Sequence, residues 1–146
     1  MSYFTGKNIL VPVDFSESSL EAIKKAIQIS EDAATVTVVH VMVPLDLVSP
    51  GVLFGGLTDE KRTEHVNKLA KSEFAKHQIE GVTFETLVGD PGIKIADYAK
   101  DHATDLIVIP SHGYTGITRL ALGSVAERVL RHAPCPTLVL PPAWLR

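Results

Sequence analysis

The residues best suited to chemistry in this 146-residue chain lie between Pro110 and Ser124. They read Pro110-Ser111-His112-Gly113, then nine residues, then Gly123-Ser124. The apolar run Asp105-Leu106-Ile107-Val108-Ile109 precedes them and Val125-Ala126-Glu127-Arg128-Val129-Leu130-Arg131 follows. This pattern predicts a buried strand that opens through a glycine-bearing loop into a helix. Unpaired backbone N–H groups at the positive end of a helix suit an anion such as phosphate. Gly113 permits close backbone approach or a positive φ, Gly123 clears the helix entrance of a side chain, and Ser124 adds a hydroxyl. His112 is a candidate for phosphate or ribose contact, or else a hydrogen-bonding spacer. Arg119 is the loop's single cation, and it either reaches a terminal phosphate or lies in solvent.

Catalytic constellations are poor. Ser111 and His112 are sequence neighbours, so in an extended loop their side chains are expected to diverge rather than pair as nucleophile and base. No Gly-x-Ser-x-Gly elbow occurs, and the Gly-Ser pair lacks the lysine of a Walker sequence. The six histidines (His40, His65, His77, His102, His112, His132) do not cluster at metal-ligand spacings. Cys135, the one cysteine, stands between two prolines as a small buried or half-buried residue, with no internal disulfide partner.

The elements that must position this loop follow one rhythm. Asn8-Ile9-Leu10-Val11-Pro12-Val13 is a short strand ending near Asp14, with Pro12 expected at its exit because proline cannot donate to a ladder. A helix begins at about Ser16; Ser18 and Glu21 have capping-box spacing, and Leu20, Ile23 and Ile27 with Ala22 and Ala26 form its apolar stripe. Thr35 to Met42 is a nearly continuous β-branched run, as in a strand buried on both faces. Residues 44 to 57 form a long, rather apolar loop, and a second helix runs from about Thr58 to His77 with Val66, Leu69, Ala70 and Phe74 on one face. Val82 to Val88 is a third strand, and Asp90-Pro91 reads as N-cap and first turn of a helix reaching about Ala103. Thr137-Leu138-Val139-Leu140, between Pro136 and Pro141, is the last strand.

The alternation predicts an α/β fold: a doubly wound, Rossmann-like, five-stranded parallel sheet with helices on both faces, in a single domain over 1–146. With strand order 3-2-1-4-5, ligands bind beyond the carboxyl ends of strands 1 and 4. That placement brings Pro12, Val13 and Asp14 to the phosphate loop by an argument independent of the glycines. Hydrophobic content of 45% with 21% charged residues is that of a soluble globular protein, and a net charge of −3 argues against nucleic acid or an acidic membrane surface as main partner. The N-terminal residues form no apolar signal region and no run approaches a membrane span, so a cytoplasmic location is expected.

The whole chain resembles the universal stress protein family. The matching pieces are Ile9-Leu10-Val11-Pro12-Val13-Asp14-Phe15-Ser16-Glu17, Val39-His40-Val41, Gly89-Asp90-Pro91, Ser111-His112-Gly113 with Gly123-Ser124, and Pro134-Cys135-Pro136-Thr137-Leu138-Val139-Leu140. ATP-binding members carry Gly-x-x-Gly, nine residues, then Gly-Ser or Gly-Thr. This chain keeps all of that except the first glycine, which is Pro110. The resemblance implies an adenine nucleotide, ATP or AMP, with Mg2+ as an accompanying ion. It implies that Asp14 meets the ribose, that the backbone of Val41 meets the adenine edge, and that the N–H groups at Gly113, Ser124 and Val125 hold phosphates. Pro12, Val13, Pro110, Ser111 and His112 complete the candidate site. It further implies a homodimer through Thr137–Leu140 and a sensor or regulator rather than a turnover enzyme. A nucleotide-independent dimeric interaction protein, or an enzyme with slow ATP hydrolysis, are the alternatives.

Overall fold

A computed structural model describes residues 3–45, 55–112 and 122–145. Five strands carry the fold: β1 (Ile9–Pro12), β2 (Val36–Met42), β3 (Thr83–Val88), β4 (Leu106–Pro110) and β5 (Thr137–Leu140). Between them lie α1 (Glu17–Ser30), α2 (Asp59–Lys76), α3 (Pro91–Asp101) and α4 (Ser124–His132). The strands pair in the order β3-β2-β1-β4-β5, all in parallel, as the alternation predicts. No helix among the described residues is long and apolar enough to cross a membrane.

The continuous apolar runs reflect a sheet buried on both faces. Ile9, Val11, Val36, Val38, Leu106 and Val108 pack against Leu20, Ile23 and Ala26 of α1 and Ala70 of α2. Their sequence neighbours Leu10, Val39, Ile107 and Ile109 point the other way, onto Ile95 and Ala99 of α3 and Ala126 and Val129 of α4. Each fully buried Ile, Leu or Val contributes about 2 kcal/mol of apolar transfer free energy. With no polar side on β1 or β4, a one-residue slip exchanges one apolar set for another; the turns and helix caps must therefore set the register.

Those caps differ from the sequence expectation at one helix. Ser16 is the N-cap of α1, and its hydroxyl oxygen accepts from Ser19 N–H at 3.2 Å. The Ser18/Glu21 spacing is therefore not a capping box, and Glu21 pairs instead with Lys24 at 3.0 Å. The reason is the turn before it. Phe15 sits in the left-handed region (φ 63) and swings the chain into the helix at Glu17, so the third helical residue is Ser19.

Asp90 and Pro91 open α3 as expected, the Asp90 carboxylate accepting from Ile93 N–H at 3.2 Å. This helix stops at Asp101 rather than Ala103, because Ala103 is itself left-handed (φ 50). On α2, Val66, Ala70 and Phe74 face the core as predicted, but Leu69 is 42% exposed. Most of the long loop, residues 46–54, lies outside the described residues.

Candidate functional site

The order of strands reverses direction at β1, whose neighbours are β2 on one side and β4 on the other. The chain leaves β1 toward α1 and leaves β4 toward α4, and these helices cover opposite faces. A crevice must open between the two strand ends, as at any switch point of a doubly wound sheet. Here two prolines keep it open. Val13 N–H donates to the Val39 carbonyl and Ser111 N–H to the Leu140 carbonyl, so Val13 faces β2 and Ser111 faces β5. By the alternation of a parallel strand, Pro12 and Pro110 then face each other across the β1–β4 boundary. Neither has an N–H to give. The β1–β4 register accordingly stops at Leu10↔Ile107, whereas β1–β2 runs on to Pro12↔Val39.

Pro110 also lies inside β4 as its last, buried residue, one position beyond the expected strand end, in register with Leu140. Gly113, expected at the phosphate site, lies outside the described residues, as does Arg119. At the entrance of α4, Gly123 N–H donates to the Ser111 carbonyl at 2.8 Å. A Cβ on Gly123 would stand 2.9 Å from that same carbonyl oxygen, so glycine is required by the close approach. Gly123 is the N-cap of α4 and supplies no side-chain cap. The N-caps of α1, α2 and α3 (Ser16, Thr58 and Asp90) each accept from a first-turn N–H. The start of α4, with exposed Ser124 and Val125, thus keeps its first-turn donors for something other than its own cap.

Asp14 is exposed at the exit of β1, and its carboxylate accepts from Ser16 N–H at 3.0 Å and from the Ser16 hydroxyl. It braces the cap of α1 rather than capping the helix itself. Ser111 and His112 do not diverge as expected: Ser111 Oγ and His112 Nδ1 lie 3.1 Å apart. The tight return of Gly123 onto the Ser111 carbonyl bends the backbone there, and the two side chains fall on one side. The other ring nitrogen, His112 Nε2, is buried without a hydrogen-bond partner. Cys135 is half-buried, and burial together with the nearby Asp105 carboxylate pushes its thiol up, away from thiolate chemistry. Among the described residues no group of three His, Cys, Asp or Glu side chains stands close enough to hold a metal ion.

Val41 lies on β2, where Val41↔Leu87 is the register with β3, one strand away from the β1 exit. Pro12, Val13, Asp14, Pro110, Ser111, His112, Gly123, Ser124 and Val125 gather around the β1 and β4 ends. Sequence reasoning missed two features. Arg128 of α4 pairs with the Asp90 carboxylate at the start of α3 and lines a cleft of about 480 Å³ beside Ser124 and Val125. Its partner is 38 positions away, so no local pattern announces it. The second is His40, bonded to the Val13 carbonyl, where a histidine on a buried strand carried no signal of its own.

This arrangement can be set beside known proteins. The model of the universal stress protein family matches residues 6–141. Universal stress protein MJ0531 of Methanocaldococcus jannaschii is 38% identical, with 92% of this chain and 81% of the relative covered. The solved structure of protein MJ0577 superposes with a TM-score of 0.73 at 29% identity, covering 93% of this chain and 96% of that one. Two further structures share the fold: a universal stress protein in complex with cAMP (TM-score 0.62, 22% identity, 93% and 97% covered) and an Arabidopsis thaliana protein with AMP bound (TM-score 0.59, 18%, 92% and 90%). A family match over nearly the whole length, relatives above 30% identity and a superposable fold lead to one conclusion: the chain belongs to the universal stress protein family.

Proposed function

We propose that this protein binds an adenine nucleotide, ATP, in the crevice between the β1 and β4 ends. It then works as a nucleotide-dependent sensor or regulator in the cytoplasm, as a single domain. The observation that carries the reading is the return of Gly123 onto the Ser111 carbonyl, which leaves the uncapped start of α4 beside the proline-parted strand ends. The N–H groups of Gly113, Ser124 and Val125 would hold phosphate oxygens. His112 Nε2, buried and unpartnered, is a further donor or acceptor for the same group. Asp14 would take the ribose hydroxyls and Val41 the adenine edge. When bound, ATP brings a polyphosphate whose charge these donors offset, and Mg2+ would travel on its oxygens. Two proteins of the same fold, solved with cAMP and AMP, support the choice of an adenine nucleotide. We propose further that two copies pair through β5.

Calorimetry with ATP, AMP and cyclic AMP tests the reading, alongside mass spectrometry of nucleotide that co-purifies with the protein. One nucleotide per chain is expected, with ATP the tightest. Absence of any nucleotide, bound or co-purified, would leave only a nucleotide-independent interaction protein.

Pro110 makes a separate test. Its missing N–H points at the end of β1, where Pro12 offers no return bond, and not at the loop. Pro110→Gly is therefore expected to leave ATP affinity within about threefold. It should lower stability by about 2 kcal/mol, through the lost buried ring and a looser unfolded chain. A clear tightening of ATP binding would mean that the ring obstructs the site.

A further inference from the structure

In a parallel sheet, successive residues of a strand direct their peptide groups alternately to the two neighbouring strands. On β2 the Val39 carbonyl accepts from Val13 N–H at 2.8 Å, and the Met42 carbonyl accepts from Gly89 N–H at 2.9 Å. Odd-numbered residues of β2 therefore face β1, and even-numbered ones face β3. The next rung of the β1–β2 ladder would run from Val41 N–H to the Val13 carbonyl. That carbonyl is bonded instead by the ring of His40, whose Nδ1 lies 2.7 Å from it. A carbonyl oxygen only accepts, so Nδ1 carries the proton.

The ring is held in place by an aromatic row. His40 lies against Phe15 with ring centroids 5.2 Å apart, Phe15 against Phe84 at 6.2 Å, and Phe84 against Phe74 of α2 at 5.7 Å. Phe15 is the buried residue with φ 63. An aromatic side chain keeps that conformation only where its surroundings over-determine it, and such residues gather at ligand clamps.

We infer that His40 is a positioning residue for the nucleotide. Its ring takes the place of Val41 N–H on the Val13 carbonyl and ends the ladder one rung early. The Val41 peptide is left facing the crevice beyond the end of β1. An adenine edge offers an amino donor near a ring-nitrogen acceptor, which a free peptide C=O and N–H match. The same bond fixes the Val13 peptide from which Asp14 departs. The inference rests on the adenine-nucleotide reading above and adds to it the side chain that keeps the base-reading edge open.

Nitrogen-15 spectra of the histidine rings, recorded at about pH 8 to keep them neutral, are expected to show His40 protonated at Nδ1 and bare at Nε2. A neutral ring protonated at Nε2 would overturn the inference without any variant. His40→Leu removes the donor, whereas His40→Asn keeps an N–H near the Nδ1 position. His40→Leu should weaken ATP and adenosine alike by about tenfold, the worth of one such hydrogen bond, and leave tripolyphosphate binding unchanged. His40→Asn should stay within about threefold of wild type. Equal ATP and adenosine binding by wild type and His40→Leu, or a matching loss of tripolyphosphate, would sink the positioning role alone. A wild-type protein that binds neither ATP nor adenosine would overturn the nucleotide reading and this inference together. Should His40→Leu fail to fold, the tautomer and His40→Asn decide.

Discussion

Gly123→Val is expected to abolish ATP binding, weakening it by more than about a hundredfold, and to lower stability by about 1–3 kcal/mol. Both effects follow from one contact. The first carbon of any side chain at this position would stand 2.9 Å from the Ser111 carbonyl oxygen, a backbone atom that cannot rotate away. Relief requires the Ser111 peptide and the start of α4 to separate, which breaks the 2.8 Å bond from Gly123 N–H. The donors at Ser124 and Val125 then no longer stand beside the β4 exit, so the phosphate cradle and the loop closure are lost together. A branched valine adds its two methyl groups in the space the phosphates would use. Gly123→Ala should fall between the two, because it makes the same carbonyl contact without the extra methyls. Calorimetry reads the binding, and urea unfolding with circular dichroism reads the stability. Asp14→Ala supplies the control: expected loss of nucleotide through the ribose, with a smaller loss of stability through the Ser16 brace. Gly123→Val binding ATP as wild type does would remove the α4 start from the site.

The layers of this fold were legible because burial repeats at short range. Ile9, Leu10 and Val11, or Leu106 to Ile109, announce strands buried on both sides, and the helical stripes between them leave no other layer order. Asp90-Pro91 was legible for the same reason, since the cap and the fixed φ of proline act within three residues. What escaped the sequence depends on backbone bends and on partners far along the chain. The Ser18/Glu21 spacing misled because Phe15 turns left-handed before the helix, and nothing in a phenylalanine foretells that. The Ser111–His112 pair forms because Gly123, twelve residues on, pulls the Ser111 carbonyl inward. Pro110 likewise stands, in sequence, where the family motif has its first glycine. Its meaning changes once Pro12 is seen across the strand boundary, since two prolines in facing positions end a ladder that one alone would only weaken.

The second large effect concerns β5. It pairs with β4 alone, in the register Ile107↔Thr137 to Pro110↔Leu140, and so forms an edge of the sheet. The Ile107 N–H bond to the Pro136 carbonyl and the Ser111 N–H bond to the Leu140 carbonyl place Leu138 and Leu140 on the β4 side. The peptides of Thr137 and Val139 then point outward, and an unpaired apolar edge invites another strand. Leu138 is 39% exposed beside them. The chain's own tail does not cover this edge with its tryptophan: Trp144 is 63% exposed, and Leu145 packs instead on the core beneath α1. Two copies related by a two-fold axis could pair their β5 strands antiparallel, each supplying the other's missing bonds. Light scattering is expected to give twice the chain mass for wild type and the single chain mass for Val139→Asp, which sets two carboxylates against each other across the axis. Val139 also packs partly on the core, so an aspartate there loosens the fold as well. Val139→Pro separates the two causes: it keeps an apolar group at the position and removes an outward N–H, which an edge strand tolerates, and should also yield a folded monomer. A wild-type monomer at micromolar concentration, or a dimer that survives both variants, would place the partner surface elsewhere.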